Sequence, residues 1–283
     1  MAIKPIQVLL YLIFICGNIF PQASELNRNL LDVTLNYSET HVLYSENVQD
    51  SFYVYIKLPK YYGEEVNRKY PVIYLLDGDI AFPMAWSVVR YLQYEKFVPD
   101  VIIVGIGYGG LLYRSAINKR ERDYSISVIE GRNESGNSVE FLKFMKEELM
   151  PYLESNYRMD RSNLTLSGHS LGGLFVLHTL FTEPQLFSNY IASSPYTSYD
   201  VEELLFWEEE NKSQIKEANC ILYISYGSNE DEKKYKKPNN RIVDRLKQRD
   251  SSYINLKFRI FEDGVHLSTP SEAMTYGLLH TFK

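Results

Sequence analysis

Three residues in the second half of the chain are of the types that together perform nucleophilic acyl transfer. Ser170 stands in LTLSGHSLGGLF with glycine at both second neighbours, Gly168 and Gly172. A serine hydroxyl is a poor nucleophile at neutral pH, so it needs a base to take its proton, and the base needs an acid to fix its tautomer. His266, in FEDGVHLSTP, is the candidate base. The candidate acid is Glu230, the first carboxylate of YGSNEDEKK, with Asp231 as its reserve. An acyl transfer also needs preformed N–H donors for its oxyanion. The amide of Leu171, directly after the serine, is one candidate, and the amide of Gly78 or Asp79, in YLLDGD, is the other.

These side chains form a site only if the elements around them bring them together. Residues 71–76 and 100–109 are apolar runs of the kind expected of strands buried on both faces. Further strands are expected at 163–167, 189–195, 220–226 and 256–261, separated by stretches with helical spacing at 82–96, 138–157, 171–183, 202–218, 240–250 and 271–282. Pro151 is expected to kink the second of these helices. Strand and helix in alternation predict an α/β domain with a mostly parallel sheet and helices on both faces. In such a sheet ligands bind at the carboxyl ends of the strands. Ser170, Glu230 and His266 each follow a predicted strand, in the chain order serine, acid, histidine. A sharp strand-to-helix turn at Ser170 explains the glycines, because backbone packs too closely there for side chains. Two β-strands are expected within 32–58, and 110–137 is a long polar loop of the kind usually tied to function.

Composition sets the outer limits. The 283 residues carry 45% apolar and 23% charged residues with a net charge of −6, which argues against a nucleic-acid surface. Residues 1–24 have one lysine, an apolar stretch from Ile6 to Cys16 and a small-residue end, the layout of a secretory signal peptide. The stretch is shorter than the roughly 20 residues of a membrane span. Its removal leaves a domain from 25 to 283 that is secreted or periplasmic, with no membrane attachment. Cys220 is then the only cysteine, so no internal disulfide forms. No metal-ligand spacing is present, and neither metal nor cofactor is expected.

The chain resembles the esterase family of the α/β-hydrolase superfamily that includes the trilactone siderophore esterases and the esterase D group. The matching pieces are YLLDGD, RERDYS, SVEFLKFMKEELMPYLESNY, LSGHSLGGLF, ASSPY, YGSNE and DGVHLSTP, spread over most of the chain after residue 70. The resemblance implies an α/β-hydrolase fold whose N-terminal strands are antiparallel. It implies Ser170 as nucleophile, His266 as base, Glu230 as acid and the Gly78–Asp79 loop on the oxyanion side. It also puts Arg120, Arg122 and Asp123 near the acyl or leaving-group pocket, without assigning them roles. The substrate implied is a small-molecule or carbohydrate-linked ester. Family members act on simple acyl esters, glutathione thioesters, ester-decorated sugars and siderophore trilactones. An anionic catecholate siderophore calls for several arginines, and the 110–137 loop supplies Arg114, Arg120, Arg122 and Arg132 within an acidic chain. The expected activity is serine carboxylic-ester hydrolysis. Acyl transfer to an alcohol would use the same three residues, and a non-catalytic binding module would have no need to keep them.

Overall fold

The apolar runs assemble into one sheet of eight strands among the described residues. The structure, a computed structural model, describes residues 34–110, 118–129, 131, 134–250 and 253–283. The expected signal segment 1–24 with Cys16, and Arg114 and Arg132 of the polar loop, lie outside the described residues.

The strands are β1 (Ser38–Ser45), β2 (Asp50–Lys57), β3 (Tyr70–Leu75), β4 (Ile102–Gly107), β5 (Met159–His169), β6 (Asn189–Ser193), β7 (Ile221–Gly227) and β8 (Asn255–Phe261). Their order across the sheet is β1-β2-β4-β3-β5-β6-β7-β8. β2 runs antiparallel to both β1 and β4, and every other pairing is parallel. The expected mostly parallel sheet with antiparallel N-terminal strands is therefore present. The helices are α1 (Gly78–Tyr94), α2 (Arg120–Tyr124), α3 (Ser138–Lys143), α4 (Met150–Asn156), α5 (Leu171–Thr182), α6 (Val201–Glu210), α7 (Lys212–Ala218), α8 (Lys237–Lys247) and α9 (Pro270–Thr281).

Side chains of β3 alternate between two apolar clusters, because successive residues of a strand face opposite sides. Ile73 and Leu75 join Val89 of α1 and Leu278 of α9. Val72 and Tyr74 join Phe141, Phe175 and Leu166 on the other side. Helices thus cover both faces, and the central strands are buried along their length. Cys220 is a buried free thiol, and burial pushes its pKa up to about 12.

Four local expectations need correction. The helix expected at 82–96 starts at Gly78, because Asp77 takes a left-handed conformation (φ 55°, ψ 42°) and turns the chain straight from β3 into α1. The expected kink at Pro151 takes the form of a π turn, Phe144–Leu149, ahead of it. Pro151 has no N–H and its ring would crowd the carbonyl four residues back, so the wider register relieves the helix there. The single helix expected at 202–218 breaks at Asn211, whose side chain donates to the Phe181 carbonyl at 2.8 Å. The 110–137 loop contains α2, which carries four charged residues in RERDY and no apolar periodicity to announce it.

Candidate active site

Ser170 occupies the junction of β5 and α5 with φ 61° and ψ −117°, a strained conformation for a residue with a side chain. Its surroundings hold it there. The Ser170 N–H donates to the Ser193 carbonyl at 2.9 Å, and its own carbonyl accepts from the Leu174 and Tyr196 N–H groups, each at 3.0 Å. A Cβ at residue 168 would stand 2.4 Å from the Gly172 carbonyl oxygen, and one at residue 173 would stand 2.9 Å from that of Ser193. Glycine is therefore required by backbone contact on both sides of the turn.

Glu230 and His266 meet beyond the neighbouring strand ends. His266 Nδ1 lies 3.0 Å from Glu230 Oε2. The other oxygen, Oε1, accepts from Ser194 Oγ at 2.6 Å and from the Gly227 N–H at 2.8 Å. Burial works against ionisation of Glu230, but the hydrogen bonds from His266, Ser194 and Gly227 outweigh it and hold the carboxyl below its usual range. An ionised acceptor at Nδ1 makes that nitrogen the donor and directs the imidazole lone pair to Nε2. Asp231 is turned away: its carboxylate caps the following turn by accepting from the Lys233 and Lys234 N–H groups at 2.9 and 2.8 Å.

The imidazole of His266 is flanked by two rings. Tyr235 stacks on it at 4.2 Å between centroids, and His169 lies at 4.5 Å. His169 Nδ1 is 3.1 Å from Ser193 Oγ. Burial first, then His266 and Arg120, depress its pKa well below that of an ordinary histidine, so it is a neutral neighbour. Sequence reasoning did not find Ser194 or Tyr235. Ser194 sits in ASSPY, one of the matching pieces, but nothing in a serine's type assigns it to a carboxylate across the sheet. The remaining histidines stand apart. His41 contacts the hydroxyls of Tyr152 and Tyr157, and His178 is buried within α5.

A pocket of about 460 Å³ opens at these strand ends, with Ser170 and His266 both in its wall. No hydrogen bond joins their side chains, and such catalytic contacts commonly close only as substrate binds. Leu75, Ile80, Met84, Ile191, Leu267 and Met274 make most of the remaining wall apolar. Arg120 also borders it, but its guanidinium is tied to Asp77 at 2.7 and 3.1 Å and to the His169 carbonyl at 3.2 Å. Arg122 pairs with Asp123 and Asp50, and Asp123 also accepts from the Tyr108 hydroxyl, so these two brace α2 against β2 and the residue that follows β4.

The oxyanion candidates begin helices. Leu171 and Gly78 are the first residues of α5 and α1, where amides have no intrahelical acceptor. The Asp77 N–H is already engaged by the Tyr124 hydroxyl at 3.1 Å, which leaves Gly78 and Asp79 on that loop. The Asp79 carboxylate accepts from the Tyr55 hydroxyl and from the Tyr108 and Gly109 N–H groups at 2.6, 2.7 and 2.9 Å, which fixes the loop against the end of β4. Among the described residues no group of three His, Cys, Asp or Glu could hold a metal ion, and no helix is long and apolar enough to cross a membrane.

The strand order, the helices on both faces and the serine on its strained turn define an α/β-hydrolase fold of the ester-hydrolysing kind. The chain belongs to the Putative esterase family, whose profile matches residues 45–246. It is similar to the ferri-bacillibactin esterase of Bacillus subtilis, with 31% identity over 252 residues, covering 83% of this chain and 86% of that one. Among solved structures it resembles the BES protein of Bacillus cereus at 30% identity and TM-score 0.80, covering 90% of this chain and 98% of the other. An IroE-like serine hydrolase from Shewanella oneidensis follows at 26% identity and TM-score 0.74, with 87% and 80% covered. The protein is an ester-hydrolysing enzyme.

Proposed function

We propose that the protein is a serine esterase with a Ser170–His266–Glu230 triad and that it cleaves the ester bonds of siderophores. Ser170 Oγ attacks the ester carbonyl while His266 Nε2 takes its proton. The oxyanion is held by the Leu171 amide together with that of Gly78 or Asp79. Collapse expels the alcohol, which receives the proton from His266. Water, giving a proton to the same nitrogen, then attacks the acyl-enzyme, releasing the acid and restoring Ser170. The observation that carries the reading is the 3.0 Å contact of His266 Nδ1 with Glu230 Oε2, on a carboxylate whose other oxygen is already saturated.

The substrate class rests on the relatives. The Bacillus subtilis protein is named a ferri-bacillibactin esterase, and further relatives are named siderophore esterases, of triacetylfusarinine C and of enterobactin. The apolar pocket wall favours the acyl part of an ester over a strongly charged group. The leader-like residues 1–24 support export from the cytoplasm before the enzyme meets its substrate. A panel of p-nitrophenyl esters and trilactone siderophores tests the proposal. Ser170→Ala should abolish turnover of all of them, and trilactones should show the highest kcat/KM; residual turnover by the variant removes Ser170 as nucleophile, and inert trilactones remove the siderophore assignment.

A further inference from the structure

A second cavity, of about 560 Å³, lies between the outer strands β7 and β8, the end of α9 and the residues after α1. None of its lining residues borders the catalytic pocket. Ser170 and His266 follow the carboxyl ends of their strands, whereas Tyr223 and Lys257 stand near the beginnings of β7 and β8. The cavity is therefore displaced along the strands from the chemistry.

Its wall has an unusual composition for this chain. The protein carries a net charge of −6, yet four cationic side chains, Lys96, Lys257, Arg259 and Lys283, line this one cavity. None of these four side chains has an ion-pair partner among the described residues. The Arg259 guanidinium lies 3.6 Å from the centroid of the Tyr276 ring, and no hydrogen bond of its N–H groups is made among the described residues. Phe97 and Phe282 add two more aromatic side chains. Tyr223 Oη and His280 Nε2 are buried on this wall, and neither atom closes a hydrogen bond of ordinary geometry among the described residues. Buried polar atoms in folded proteins are almost always paired, so two orphans on one cavity wall mark places where a ligand's polar atoms belong. Burial, with Lys257 and Lys283 nearby, outweighs a backbone hydrogen bond at Asn255 and depresses the His280 pKa, which favours the neutral ring.

We infer that this cavity binds a small aromatic carboxylate. The carboxylate sits on Arg259 and Lys257, the planar fork of the arginine matching its two oxygens. The ring lies among Phe97, Tyr276 and Phe282, where offset or edge-on stacking is available. Tyr223 and His280 meet the remaining polar atoms of the ligand. A volume of this size fits a small organic molecule. Inorganic phosphate would satisfy the cations but leave the aromatic wall unused. A polyanion such as nucleic acid requires a stripe of cations along a surface instead of four around a cavity.

Isothermal titration of the full protein with benzoate tests this, beside titrations with inorganic phosphate and with the double variant Lys257→Gln/Arg259→Gln. Benzoate should saturate one site on the wild type, bind at least tenfold more weakly to the double variant, and outcompete phosphate. The melting transition of the variant should be retained, which reports folding without reference to esterase activity. If the double variant does not melt cooperatively, Lys257→Gln alone, at an exposed position, should still weaken benzoate at least threefold. No saturable benzoate site, undiminished affinity in the folded variant, or phosphate binding as tight as benzoate overturns the inference.

Discussion

His266 and Glu230 are joined Nδ1 to Oε2 at 3.0 Å, and the same carboxylate is held from behind by Ser194 and the Gly227 N–H. One oxygen fixes the carboxylate and the other fixes the imidazole. Glu230→Gln keeps the shape but removes the charge and permits the wrong tautomer. It should lower kcat by about a thousandfold to ten-thousandfold with KM little changed. Asp231→Ala should leave kcat within about twofold, because that side chain serves only the following turn. Steady-state kinetics on p-nitrophenyl butyrate checks both; equal losses in the two variants would be evidence against Glu230 as the acid.

Ser194 gives a graded test of the same relationship. Its hydroxyl donates to Glu230 Oε1 at 2.6 Å and is itself buried. Ser194→Ala leaves the Gly227 N–H as the only donor to that oxygen, at a cost of about 1–3 kcal/mol for a weakened buried acceptor. Hydrogen bonds that favour the charged form lower a carboxyl pKa, so removing one raises it. Activity falls as Glu230 becomes protonated, so the acid limb of the kcat/KM profile should move to higher pH in the variant. A profile lowered uniformly, with no movement of the limb, would assign Ser194 a packing role only.

The turn that presents Ser170 should tolerate no side chain at residue 168. Gly168→Ala would bring its Cβ to 2.4 Å from the Gly172 carbonyl oxygen, backbone against backbone with no rotamer to escape into. Opening that contact shifts Ser170 relative to His266, and small misplacements of reacting groups cost about a hundredfold in rate. The variant should lose at least that much in kcat and melt at lower temperature. Full activity would mean that the turn is looser than its contacts require.

The same geometry explains what could and could not be foreseen from the sequence. β3 and β4 were legible because strands buried on both faces must be apolar throughout. The spacing of Ser170, Glu230 and His266 was legible because successive strands of a parallel sheet deliver loops to one edge. Glu230 reads as the first choice for the acid and Asp231 as its reserve, since both follow β7; the partners that separate them, His266, Ser194 and the Gly227 N–H, are tertiary. Asp79 entered as an amide candidate, yet its carboxylate has the visible structural task, bracing the loop to β4. The orphan atoms beside Lys257 and Arg259 had no sequence signal, because Tyr223 and His280 are ordinary members of a strand and a helix.

His178 makes the stability of the fold depend on pH in a definite direction. It is 3% exposed, in the middle of α5, and burial lowers its pKa from 6.5 to about 4. In the unfolded chain the imidazole binds a proton below pH 6.5, while in the folded protein it stays neutral down to about pH 4. Between these values the unfolded state holds more protons, so stability falls as the pH drops through that window and levels off below it. The shift corresponds to at most about 3 kcal/mol. His178→Leu removes the titration while keeping an apolar side chain of fitting size. The stability of wild type relative to the variant should therefore fall by up to about 3 kcal/mol between pH 7 and pH 4 in urea unfolding. Parallel curves across that range would show that His178 does not take up its proton on unfolding.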